Sequence, residues 1–153
     1  MDSKKVVILV REGIPYKKTI QYGYERAREL GAKMELVGVI PNIDDARMMG
    51  MALCEVAPYA TVSRNMESET TDFLEKAVQF CLDSGITVES RLEHGGMDVV
   101  LKRASGEKSA KLVIVPTPVK DEHFREFLCA IKHLAHDVFD RELRCPVVSV
   151  VSA

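Results

Sequence analysis

Two short segments carry the residue types that could handle a phosphorylated ligand. Glu12-Gly13-Ile14 follows an apolar run and combines a carboxylate with a turn-permissive glycine. Pro116-Thr117-Pro118 follows a second apolar run and offers one hydroxyl between two prolines. A loop that cradles phosphate needs glycine, so that backbone N–H groups can approach the anion closely. Proline has no N–H to give. All nine glycines lie at or before Gly106, so the second segment and everything after it lack the means of building such a cradle. The chemistry expected is that of a nucleotide-type scaffold without the usual hold on phosphate.

Other reactive side chains read more plainly. His133 and His136 stand three residues apart, with Asp137 and Asp140 close by. Such a pair can share a metal ion on one helix face, but no third ligand has a matching spacing, so a solvated helix flank and no metal site is the expectation. His123, next to Phe124, reads as a residue near a helix start. Gly95-Gly96-Met97-Asp98 opens a helix whose free N–H groups suit an anion; a glycine turn with Asp98 near the N-cap explains the same residues. Ser105-Gly106-Glu107-Lys108-Ser109 lacks the G-x-x-x-x-G-K pattern and reads as a helix-stop loop. Cys145 has no histidine beside it, and Arg144 alone is a weak activator, so this thiol is expected to pack where the final strand begins. No catalytic residue is assigned, and the chain is expected not to be an enzyme.

The elements that must position these residues alternate regularly. Val6–Val10 is a continuous apolar run, as in a strand buried on both faces. Pro15 fits a first helical residue and Gly31 a stop, with Tyr16, Ile20, Gly23, Ala27 and Leu30 at helical spacing between them. Met34–Ile40 is a second strand. Ser68–Ser84 reads as a helix with a stripe of Thr70, Phe73, Ala77 and Cys81, stopped at Gly85. Ile86, Val88, Ser90 and Leu92 alternate with Thr87, Glu89, Arg91 and Glu93, which marks a half-buried strand near a sheet edge. Asp98–Ser105 forms a short helix, Leu112–Val115 a fourth strand with Pro116-Thr117-Pro118 as its exit turn, Phe124–Phe139 a fourth helix, and Val147–Val151 the last strand. This alternation predicts an α/β fold: an open five-stranded parallel sheet, order 3-2-1-4-5, with helices on both faces. One domain spanning residues 1–153 is expected.

In such a sheet, ligands sit beyond the carboxyl ends of the strands where the strand order reverses. Here that means Arg11–Ile14 and Pro116–Lys120. At this point the chain resembles the universal stress protein family over essentially its whole length. The resemblance rests on the V-V-I-L-V-R-E-G start, the E-L-G-A-K-M-E-L-V-G-V-I helix-to-strand join, the S-A-K-L-V-I-V-P fourth strand and the R-C-P-V-V-S-V-V ending. It implies a Rossmann-like fold of the adenine nucleotide alpha hydrolase type. The nucleotide-binding branch of that family carries G-x-x-G, nine residues and then G-S or G-T after the fourth strand. In this chain Pro116, Val119 and Cys129 fall at the glycine positions and Ala130 at the hydroxyl position. After the first strand, Glu12-Gly13-Ile14 replaces the family's Asp-Gly-Ser. The resemblance is therefore to the branch that dimerises without ATP, and no cofactor is expected. The alternative is ATP held by Glu12, Gly13, Ile40, Pro116 and Thr117 in an altered pocket.

A response-regulator receiver shares the alternation but needs an acidic pair after its first strand and a phosphoacceptor aspartate ending its third. Arg11-Glu12 and Glu93-His94 stand there instead.

Assembly is expected through the last strand, whose Val147, Val148, Ser149, Val150 and Val151 form an apolar edge. An open edge is a pairing template, a two-fold dimer removes two at once, and the resemblance implies the same contact. Ala46–Cys54 is rich in methionine and suits either an adaptable partner contact, in a lid or a dimer, or a short helix over a sheet end. The formal net charge of −2, with no basic block, argues against a nucleic-acid partner. The N-terminal apolar run is too short for a signal or a membrane span. Cys54, Cys81, Cys129 and Cys145 show no metal or disulfide spacing, as expected of thiols in a reducing cytoplasm. The sequence thus predicts a cytoplasmic homodimer that binds an unnamed protein partner.

Overall fold

A computed structural model describes residues 3–40, 59–118 and 145–152. The first strand, β1 (Lys5–Val10), is followed by helix α1 (Lys17–Leu30) and strand β2 (Lys33–Ile40). Helix α2 (Tyr59–Asp83), strand β3 (Val88–His94), helix α3 (Met97–Gly106) and strand β4 (Ala110–Pro118) come next, and strand β5 (Val147–Ser152) completes the described chain. The five strands form one sheet in the order β3-β2-β1-β4-β5, and every pairing is parallel. That is the order expected from sequence.

The central strands are mostly apolar because both of their faces are covered. Val6, Ile8 and Val10 point to one side and pack with Ile20 and Ala27 of α1 and with Leu74, Ala77 and Cys81 of α2. Val7 and Leu9 point to the other and pack with Val100, Leu101 and Ala104 of α3. Gly23 lets α1 lie close to the sheet: a Cβ there would stand 2.5 Å from Ile8 Cδ1 and 3.2 Å from Ile114 Cδ1. Tyr16 closes the seam between α1 and α2, its ring edge-on to Phe73 at 5.3 Å.

Several boundaries differ from expectation. Pro15 precedes α1 instead of opening it; Tyr16 is the N-cap and its carbonyl takes the Ile20 N–H at 2.9 Å. Leu30, at the end of the apolar stripe, is exposed. Helix α2 begins at Tyr59, well before Ser68, and Met66 extends its buried stripe toward Ile40. Ile86 lies before β3, its N–H closing the end of α2 on the Cys81 carbonyl at 2.8 Å.

The largest correction concerns β4. Pro116-Thr117-Pro118 is not an exit turn; all three residues are in the strand, opposite Val150, Val151 and Ser152 of β5. In a parallel ladder, alternate residues direct their N–H and C=O groups to opposite neighbours. The Val113 N–H goes to the Pro146 carbonyl at 3.1 Å, so odd-numbered residues of β4 serve β5 and even-numbered ones face β1. Both prolines are therefore at positions that owe β5 nothing, which is how a strand tolerates them. Their missing donors fall on the β1 side, and there the ladder stops: its last pair is Ile8 with Ile114, whereas β1 stays paired with β2 as far as Val10. The next rung would run from the N–H of residue 116 to the carbonyl of Leu9, and proline cannot make it.

Candidate functional site

The sheet therefore parts between β1 and β4 at their carboxyl ends, where the strand order reverses. On the β1 side the chain turns at once, with the Ile14 N–H reaching the Arg11 carbonyl at 3.1 Å. Gly13 makes this turn with φ at +85°, a conformation that costs other residues strain. Nothing lies within 4 Å of where its Cβ would be, so this stretch of backbone faces open space. Ile14 folds back and is buried, while Glu12 stays exposed.

Ile40 ends β2 one strand away. It packs on Met66 and Leu92, and its carbonyl accepts the Gly95 N–H at 3.0 Å. Pro116 is buried, and Thr117 follows it in the strand. Glu12, Gly13, Ile40, Pro116 and Thr117 thus fall on the carboxyl edge of three adjacent strands, as the sequence placed them. What differs is the local form: the prolines shape the crevice from within a strand, not from a loop.

The crevice has an acidic mouth. Partial burial first, and then the charge of and hydrogen bond with Glu69 on α2, push the Glu12 carboxyl above its ordinary range. Glu67, two residues before Glu69 on α2, has its Oε2 3.9 Å from Nε2 of His94 at the end of β3. Among the described residues, no group of three or more histidine, cysteine or acidic side chains is arranged to hold a metal ion.

The thiols behave as the sequence suggested. Cys145 is buried with its Sγ 3.5 Å from the Pro146 carbonyl, and burial pushes its pKa up to about 11. Cys81 is likewise buried and pushed up to about 11. Neither is a thiolate near neutral pH, so neither has the character of a nucleophile. His123, His133, His136, Val119, Cys129, Ala130, Cys54, the fourth helix and the methionine-rich segment at 46–54 lie outside the described residues.

One charged cluster escaped the sequence reading. Glu35, inside the apolar run of β2, is 8% exposed and lies 3.3 Å from Lys5 Nζ and 3.1 Å from Arg91 Nε. Glu107, after α3, pairs with both Lys5 and Arg91. Arg91 also approaches Glu93 at 3.6 Å, and Arg103 of α3 holds Glu93 at 2.8 Å. Three cations and three carboxylates thereby cover the α3 side of β3. The available signal was Glu35 itself, because a carboxylate in a buried strand requires a partner.

An open parallel sheet with helices on both faces and a reversal of strand order at β1 and β4 defines the doubly wound α/β class of folds. Within that class, this chain is similar in fold to a crystal structure of a protein from the universal stress protein family of Burkholderia pseudomallei. The TM-score is 0.64 at 16% sequence identity, over 96% of this chain and 95% of that one. No family model and no curated protein matches the sequence. The likeness shows the fold. Among the described residues no helix is long and apolar enough to cross a membrane.

Proposed function

We propose that the chain is a universal-stress-protein-like regulatory binding protein of the cytoplasm, acting as a homodimer through β5, without catalysis and without ATP. The observation that carries this reading is the pair of prolines in β4. They occupy the switch-point side of the strand, where a nucleotide-binding relative would offer backbone donors. No glycine follows them in the sequence to supply the cradle elsewhere.

Charge supports the same reading. Glu12 and Glu69 stand together at the crevice mouth. Two carboxylates add like charge where a triphosphate would lie, a modest repulsion because both side chains are exposed. Regulation by partner binding also agrees with the inert thiols at Cys81 and Cys145.

The test is calorimetric titration of the purified protein with ATP in the presence of magnesium, repeated as a thermal shift. No heat of binding and no stabilisation are expected. Saturable binding at micromolar concentration would replace this reading with the alternative, ATP held near Gly13, Ile40 and Thr117. Glu12→Gln and Gly13→Val variants would then locate it.

A further inference from the structure

A second concavity lies at the opposite end of the sheet, below the amino ends of β2 and β3. It encloses about 490 Å³ between the last turn of α1, the loop that enters β2 and the loop that enters β3. We propose that this groove is a binding site for an amphipathic organic anion, an aryl or acyl carboxylate, distinct from the switch-point crevice.

Its size falls within the range of small-molecule sites, roughly 300–1,000 Å³. The floor is apolar: Ala27, Met34 and Ile86 line it and belong to the buried core. Two cations stand at its edge, Arg28 on α1 and Lys33 at the start of β2, against one carboxylate, Glu89. The Arg28 guanidinium lies 5.7 Å from the centroid of the Tyr24 ring, a cation–π contact that limits where it can swing.

Helix ends could oppose an anion here, because α1 and α2 both point their carbonyl termini toward this region. Some of their end carbonyls are already taken, however. Ala32 N–H caps Ala27 at 2.8 Å, and Gly85 N–H caps Leu82 at 3.1 Å. Arg28 adds a positive charge in the last turn of α1. Arg28 and Lys33 therefore supply the positive charge of the site, set against Glu89 and the partial negative charge of the two helix ends.

A separate observation favours an apolar body on the ligand. Three large apolar side chains are exposed among the described residues, and two of them, Leu30 and Leu82, lie in the last turns of α1 and α2, a few residues from the lining residues Gly31 and Gly85. A hydrocarbon group longer than the groove would find apolar surface beside it.

The decisive experiment is a two-dimensional amide NMR titration of the isotope-labelled full chain with naphthoate and with octanoate. Gly31 and Gly85 report on the groove, while Gly13 and Gly95 report on the carboxyl end of the sheet. Saturable shifts centred on Gly31 and Gly85 are expected, with naphthalenemethanol, the neutral analogue, binding more weakly. The Arg28→Glu, Lys33→Glu double variant should lose about tenfold in affinity, and Ala32→Phe should obstruct the groove. Shifts centred on Gly13 and Gly95, no shifts at all, or undiminished affinity in the charge-reversed variant would overturn the proposal. ATP binding is read at the other end of the sheet, so the two readings fail independently.

Discussion

The two edges of this sheet are built on opposite plans. The β3 edge reads Val-Glu-Ser-Arg-Leu-Glu-His, with Val88 and Leu92 packed under α2 and Arg91 and Glu93 tied into a charge network on the other face. The β5 edge reads Val-Val-Ser-Val-Val-Ser. Among the described residues nothing pairs with the outer side of either strand. Charged side chains on an edge discourage pairing with another chain, and an apolar edge invites it. One sheet thus carries a guarded side and an open one, and the difference is a matter of four ionisable side chains, Glu89, Arg91, Glu93 and His94, against none in β5.

Ladder geometry says how to break the open side without damaging the fold. The Val113 N–H bonds the Pro146 carbonyl, so even-numbered residues of β5 face β4 and odd-numbered ones face outward. Ser149→Pro should remove an outward donor while sparing the β4 ladder, and the expected outcome is complete conversion of the proposed dimer to monomer by light scattering. Val150→Pro, which strikes the β4 side, should instead unfold the end of the sheet. A dimer that survives Ser149→Pro would mean that assembly uses another surface.

The guarded side can be made to resemble the open one. Arg91→Leu leaves the largely buried Glu35 with Lys5 alone, at a cost of about 1–2 kcal/mol in urea denaturation, and should promote aggregation on standing. Acid should act on the same network in a graded way. Burial works to raise the Glu107 pKa, but hydrogen bonds and charges from Lys5 and Arg91 outweigh it and hold it below the ordinary carboxylate range. A carboxylate depressed in the folded state contributes stability above its unfolded pKa and loses it as the pH falls through the folded one. Stability should therefore decline as the pH drops below the ordinary glutamate range, and Glu107→Gln should flatten that part of the profile. The smallest effect belongs to Arg103→Ala at the exposed end of the network, expected to cost under about 1 kcal/mol.

These residues also show where sequence reading reached and where it stopped. Val6–Val10 announced a buried parallel strand because a strand covered on both faces is apolar without interruption, and Met34–Ile40 was legible as a second strand despite Glu35. The alternation from Ile86 to Glu93 announced an edge for the same reason in reverse. The prolines were misread because a turn signal is judged along the chain, whereas their tolerance depends on which neighbouring strand the missing N–H would have faced. The start of α2 was misread because Asn65 and Ser68 are residue types that begin helices, although Met66, Thr70, Leu74, Ala77 and Cys81 hold one stripe through them. The charge network was illegible because its members come from β1, β2, β3, α3 and the chain after it, and only the folded sheet assembles them. Of the candidate site, the positions of Glu12, Gly13 and Ile40 were legible; the acidic pairing of Glu12 with Glu69 was not.

The gap beside Leu9 is written into covalent structure. No rotamer change or bound guest can supply a hydrogen that residue 116 does not possess, so β1 and β4 cannot zip shut when the crevice is empty. That rung is missing whether the crevice is filled or empty, so no ligand has to break it.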